Sequence, residues 1–249
     1  MIDAVRTFVF RTFFYIGSVP IVLGAPIAAL FGQRSVISYA NIWARYHRLL
    51  IRLVLGITPR VEGAVPKGQY LFVSKHQAMY ETLELQLLLN SPAMVLKREL
   101  MKVPVWGWTT QQYGSLVVDR EASSKALRQM MKEGAALRAE GRSVVVYAEG
   151  TRVPVGEQPP LRSGFAGLYK ALDLPVVPIA VNSGRLLPKK GAMHPGVVTF
   201  RIGETIPPGL PRREAEARVH AAINALEREG NPPLQGEVAA RRADGGVSR

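Results

Sequence analysis

From Thr12 to Phe31 the chain runs for 20 residues without a charged side chain, and no other feature restricts its fold as much. A helix of that length reaches across a hydrocarbon layer of about 30 Å, so the stretch must be covered by protein or by a membrane. Gly17, Pro20, Gly24 and Pro26 fall inside it. They argue against a straight spanning helix and leave a kinked or re-entrant hairpin equally open. A cleaved signal peptide fits poorly, because its apolar region is usually about 7 to 15 residues and Arg11 lies deep in the leading segment. The next segment, "NIWARYHRLLIRLVLGI", sets Ile42, Trp43, Tyr46, Leu49, Leu50 and Leu53 at helical spacing, with Arg45, Arg48 and Arg52 on another side. That is the pattern of a basic amphipathic helix lying in a membrane interface. A helix packed on the protein's own core with its arginines in water would show the same pattern. Residues 1–58 are accordingly expected to form a hydrophobic, helical membrane-binding module.

Beyond residue 58 the pattern changes to α/β. The short apolar runs 70–74, 93–97, 115–118, 143–148, 175–181 and 197–202 read as strands buried on both faces. Helical spacing is clearest over Leu127 to Leu137 and over Arg213 to Glu229, the latter opening after Pro211 and closing at Gly230. The expected fold is a largely buried mixed sheet flanked by helices over 59–230, preceded by the membrane-binding module. A tail over 231–249, rich in Pro, Gly, Arg and Ala, is expected to be poorly ordered.

Lys and Arg number 32 against 19 acidic residues, a net charge of +13, so the expected partners are anionic: nucleic acid, an acidic membrane surface or a phosphorylated ligand. The basic residues are scattered and form no nucleic-acid motif, which turns the expectation away from nucleic acid. There is no cysteine, so disulfides, thiolate zinc sites and a cysteine-borne acyl intermediate are excluded.

Three polar clusters fall near strand ends, where ligand sites of α/β sheets gather. The first is "KHQAMYE", with His76 in the turn after a strand and Glu81 at the start of a helix. Five helical residues correspond to about 140° of rotation, so the two side chains meet only if the chain turns between them. The second is "KRELMKVPVWGW", with Lys97 at a strand end, followed by Gly114, Asp119 and Arg120. The third is "EGTR", Glu149, Gly150, Thr151 and Arg152, where the glycine permits close approach of a ligand and Arg152 offers a fork suited to phosphate oxygens. Any one of these clusters alone would pass for an ordinary polar turn.

In this order the clusters resemble the glycerolipid acyltransferase family. That family carries His-x4-Asp, then Lys-x-Glu-Leu with Pro and Gly leading to Asp-Arg, then Glu-Gly-Thr-Arg, then an apolar strand with a central Pro. The matching residues here are His76 to Glu81; Lys97, Glu99, Leu100, Pro104, Gly107, Gly114, Asp119 and Arg120; Glu149 to Arg152; and "VVPIAVN" with Pro178. The likeness covers about residues 58 to 205. Two positions depart from the pattern: Glu81 stands where the family has Asp, and Ala148 where Pro commonly precedes the third motif.

The resemblance implies acyl transfer from a thioester, acyl-CoA or acyl carrier protein, to the free hydroxyl of lysophosphatidic acid, giving phosphatidic acid. His76 is the natural general base, because an imidazole is largely unprotonated near neutral pH, and Glu81 would orient and stabilise it. No Gly-x-Ser-x-Gly elbow occurs, and only Ser74 or Ser163 could carry a covalent acyl group. The resemblance assigns the substrate phosphate to Arg152 and Lys97, within a site that includes Glu149, Gly150 and Thr151. Glu149 is expected to orient Arg152, since a carboxylate would itself repel phosphate. No metal and no cofactor is expected. The expected setting is the membrane, at the cytoplasmic face of the inner membrane where such donors occur. The same pair of side chains would also serve another lysophospholipid or lyso-lipid acceptor or a thioester hydrolase, while a non-catalytic lipid binder would leave the pair without a purpose.

Overall fold

In the computed structural model, which describes residues 1–118 and 124–228, the apolar stretch is one continuous helix, α1 (Ile2–Ala29), with Pro20 and Pro26 in its interior. Asp119, Arg120, the expected helix end at Glu229 and Gly230, and the tail 231–249 lie outside the described residues. A turn at Gly32 leads into α2 (Gln33–Leu50), extended by a π-helical turn, Ile51–Leu55. The hairpin is thus made by α1 with α2 and not within Thr12–Phe31. The glycines that seemed to interrupt the apolar run are contact points. A Cβ on Gly17 would lie 2.1 Å from the Tyr46 hydroxyl, and one on Gly24 would lie 2.5 Å from that of Tyr39. Both pairs recur at the same sequence interval, as two antiparallel helices in register require.

α2 divides its residues between protein and solvent. Ala44, His47, Ile51 and Leu55 are buried, and Trp43, Tyr46 and Leu50 pack on the core, whereas Ile42, Leu49 and Leu53 stay exposed beside Arg45 and Arg52. Arg48 turns inward. Its Nε donates to Oε2 of buried Glu84 (3.1 Å), and its Nη2 stands 2.7 Å from Oε1.

Seven strands follow: β1 (Ile57–Glu62), β2 (Leu71–Ser74), β3 (Ala93–Lys97), β4 (Leu116–Val118), β5 (Val144–Val146), β6 (Val176–Val181) and β7 (Gly196–Ile202). They lie in the order β1-β7-β6-β2-β5-β3-β4, parallel throughout except for β6 against β7. The sheet is therefore mixed, as expected. β1 is the strand that apolar runs did not announce, because only Ile57 of it is buried. Its Pro59 suits an edge strand, where a missing N–H leaves no gap in the sheet.

The helices are α3 (Tyr80–Leu88), α4 (Trp106–Tyr113), α5 (Ser124–Ala139), α6 (Gly164–Leu172), α7 (Arg212–Ile223) and α8 (Ala225–Arg228). Alternate strand residues feed two cores. Phe72, Val177 and Val198 join Phe10, Phe14, Ile51 and Leu85 on the hairpin side, while Leu71, Val73, Val144 and Val176 join Leu137, Leu168, Leu172 and Val219 on the other. Burial on both faces explains why the strands read as unbroken apolar runs. The helix expected over Arg213 to Glu229 breaks at Asn224, whose Nδ2 donates back to the His220 carbonyl (2.8 Å) while its Oδ1 turns into the protein.

Candidate active site

β2 and β5 are parallel neighbours at the middle of the sheet, so the turns leaving their carboxyl ends lie side by side. His76 follows β2, and Glu149 to Arg152 follow β5. Between β2 and α3 the chain turns sharply enough for His76 Nδ1 and Glu81 Oε1 to stand 2.9 Å apart. The same oxygen accepts the backbone N–H groups of Gln77 (2.6 Å) and Ala78 (2.7 Å). The other oxygen accepts the Ser183 hydroxyl (2.8 Å). The additional methylene of Glu81 is taken up by folding its carboxylate beneath the turn, where it is fully buried and satisfies donors at the open end of α3. With an acceptor at Nδ1, the ring carries its proton there and keeps the lone pair on Nε2. The His76 side chain remains 17% exposed.

Tyr147 lies against the imidazole, ring centroids 4.4 Å apart. Its hydroxyl is buried without a partner. Burial first, then the Glu81 charge, raises its pKa well above the ordinary phenol value, so the group stays protonated.

Glu149 departs from expectation. It does not meet Arg152: Oε1 accepts from Lys75 Nζ (2.7 Å), and Oε2 accepts the backbone N–H of His76 (3.1 Å). With both oxygens engaged beneath the turn, it faces neither the arginine nor a ligand, and its contribution to the site is to the histidine's backbone. Gly150 has φ 70°, which lets the chain leave that buried carboxylate and return to the surface. Arg152 is exposed.

His76, Lys97, Gly150, Thr151 and Arg152 all line one cavity of about 1220 Å³. Its wall continues over Met79, Leu83, Met94, Leu96, Trp106 and Phe165, and over Tyr15, Val22, Ala25 and Trp43 of the helical hairpin. The polar clusters and the hairpin thus serve a single space. The second cluster shapes that wall: a Cβ on Gly107 would lie 2.2 Å from the Met101 carbonyl, so α4 can pack only with glycine there. Ser74 is fully buried and donates to the Lys75 carbonyl (2.9 Å), while Ser163 lines the cavity. Sequence reasoning missed Lys75, Tyr147 and Ser183, and also Arg162 and Arg212, two further cations on the cavity wall. Only Lys75, adjoining His76, offered a local signal.

An imidazole held by a buried carboxylate, on the wall of a largely apolar cavity that also presents cations, is an arrangement suited to group-transfer chemistry. The Acyltransferase family model matches residues 58–182. A 1-acyl-sn-glycerol-3-phosphate acyltransferase of Pseudomonas aeruginosa is 37% identical over 187 residues, covering 74% of this chain and 70% of that protein. The chain belongs to this acyltransferase family. The Saccharomyces cerevisiae protein of the same name is 26% identical over 188 residues, covering 73% of this chain and 61% of its own length. The crystal structure of the 1-acyl-sn-glycerophosphate acyltransferase PlsC from Thermotoga maritima superposes with a TM-score of 0.71 at 21% identity, over 92% of this chain and 100% of that one.

Proposed function

We propose that this acyltransferase transfers a fatty acyl group from acyl-CoA or acyl carrier protein to the free hydroxyl of lysophosphatidic acid, giving phosphatidic acid. The observation that carries the reading is the shared cavity, where His76 meets Arg152 and Lys97 at one apolar space large enough for lipid chains. The acceptor hydroxyl loses its proton to His76 Nε2 as its oxygen attacks the thioester carbonyl. Glu81 stabilises the resulting imidazolium through Nδ1. Collapse of the tetrahedral intermediate breaks the C–S bond, and the leaving sulfur takes the proton back. Direct transfer of this kind uses no metal and no cofactor. Arg152 and Lys97 hold the acceptor phosphate, which keeps the hydroxyl within reach of the base.

Membrane attachment is through the hairpin. α1 is 28 residues long and apolar enough to cross a membrane, yet it is tied lengthwise to the protein. Its Thr7 Oγ1 accepts the Met193 N–H (2.8 Å), and Asp3 Oδ2 pairs with His194 Nδ1 (2.8 Å). We read it as inserting sideways, by its outward apolar face, at the cytoplasmic surface of the inner membrane, where thioester donors are available.

The test compares acceptors. His76→Ala should lower turnover by about 10²- to 10⁴-fold with the fold intact. Arg152→Ala should weaken use of lysophosphatidic acid by about 1.5 to 3 kcal/mol, mainly in KM, and should affect an uncharged monoacylglycerol less. Equal losses on both acceptors would remove Arg152 from phosphate binding, and near-normal turnover by His76→Ala would overturn the mechanism.

A further inference from the structure

Both neighbours of His76 in the chain are buried polar residues, and both are held by residues distant in sequence. Lys75 is fully buried, and its ammonium has a separate acceptor for each of its three protons: Glu149 Oε1 (2.7 Å), the Glu157 carbonyl (2.8 Å) and Asn224 Oδ1 (2.8 Å). Gln77 is buried too. Its Oε1 accepts the Gly184 N–H (2.9 Å), and its Nε2 donates to Glu227 Oε1. Glu227 Oε2 in turn accepts the Gly156 N–H (2.6 Å). Gly184 packs so closely that a Cβ on it would lie 3.0 Å from that of Gln77.

We propose that Lys75 and Glu149 are positioning residues for His76, and that the C-terminal segment Asn224–Glu227 completes the turn that aims it. The inference rests on the reading of His76 as the base. A buried ion pair is no more stabilising than apolar side chains of similar volume, so stability alone does not explain charge at this place. What the pair does is directional. Lys75 neutralises Glu149 in the interior, and Glu149 is then free to use its second oxygen on the His76 N–H (3.1 Å), fixing the peptide from which the imidazole projects. Glu81 fixes the ring itself through Nδ1. Backbone and ring are therefore held by two different carboxylates. The break in the helical segment at Asn224 follows from this arrangement, since its amide spans the Lys75 ammonium and the His220 carbonyl (2.8 Å for both). Asn224 and Glu227 lie beyond residues 58–182, the stretch that the family model matches.

The experiment separates positioning from stability. Lys75→Met leaves Glu149 charged and unpaired, and should lower both the melting temperature and kcat. Lys75→Met/Glu149→Leu removes the imbalance. It should return the melting temperature to near the wild-type value while kcat stays about 10- to 100-fold low and KM for lysophosphatidic acid changes less than about twofold, because only the aim of the base is lost. Recovery of kcat together with the melting temperature would overturn the proposal. Should the double variant fail to fold, Glu227→Ala, at a partly exposed position, decides. It should retain its melting temperature and lose about 3- to 10-fold in kcat, whereas wild-type kcat would overturn the proposal. His76→Ala is measured alongside. Turnover by that variant would remove the base itself, whereas loss of turnover there with full recovery in the double variant would remove only the positioning.

Discussion

A single carboxylate oxygen of Glu81 accepts from the imidazole and from two backbone N–H groups, and its partner oxygen accepts from Ser183. Orientation of the ring and closure of the turn are therefore one interaction, and the substitutions at this position should separate charge from shape. Glu81→Gln keeps the length and an acceptor oxygen but removes the charge that stabilises the imidazolium, and should lower kcat by about 10- to 100-fold. Glu81→Asp keeps the charge and is the residue the family pattern carries, so it should retain more turnover than Glu81→Gln. Steady-state kinetics on lysophosphatidic acid would check the order, and the reverse order would mean that reach matters more than charge. The pairing of His76 with Glu81 was legible in the sequence, because both lie in one strand-turn-helix unit. The partners of Glu149 were not. Its ammonium partner is 74 residues away, and nothing in "AEGTR" distinguishes a carboxylate that turns inward from one that pairs with the following arginine.

At the scale of elements, the hairpin carries the clearest pH sensitivity. His47 is buried on α2 against Phe14 and Phe10, ring centroids at 5.1 and 5.9 Å, and its Nδ1 has no partner. Burial pushes its pKa down from 6.5 to about 3. Between those values the unfolded chain binds a proton that the folded chain refuses, so stability falls as pH drops, by about 1.4 kcal/mol per unit below 6.5. Glu84, facing the same helix interface, has its carboxyl pKa raised by burial, and that group acts in the opposite sense as its proton returns. Comparing wild type with His47→Leu isolates the histidine. The variant should melt higher at pH 5 than the wild type, by about 2 kcal/mol relative to their difference at pH 7.5, and a constant gap across that range would contradict the assignment. Helical spacing announced α2 from its sequence. It did not say which apolar residues meet the core, since Ile42, Leu49 and Leu53 share the period of Trp43, Tyr46 and Leu50 and yet remain exposed.

For the whole molecule, the outward face of α1 carries many of the exposed large hydrophobic side chains among the described residues. Ile16, Val19, Leu23 and Ile27 form one exposed stripe, with Phe8, Phe13 and Phe31 beside it. Such a surface on a protein of net charge +13 suits an anionic bilayer. Ile16 and Leu23 are 67% and 61% exposed, so Ile16→Asp/Leu23→Asp should leave the fold and melting temperature unchanged. In flotation with vesicles containing an anionic phospholipid, the variant should move largely to the soluble fraction while keeping kcat on short-chain lysophosphatidic acid dispersed as monomers. Unaltered flotation would place the attachment elsewhere. Substitution is a sharper test than removing residues 1–58, because Ile51, Leu55 and Ile57 belong to the core under the sheet and β1 would lose its first residues.

The sequence by itself determined what depends on neighbours along the chain: the uncharged apolar stretch and the basic amphipathic helix after it, six of the seven strands, and the strand-end turns that carry His76, Lys97 and Arg152. Local periodicity and turn chemistry suffice for these, because each is settled within about ten residues. Only the tertiary structure decided that Pro20 and Pro26 sit inside an unbroken helix, where α2 inserts tyrosines at the glycines. It also decided the strand order, which sets the turns after β2 and β5 side by side, and the pairing of Lys75 with Asn224, 149 residues apart. Contacts of that span leave no period in the chain. They are chosen when the sheet closes and a buried charge must find every one of its partners.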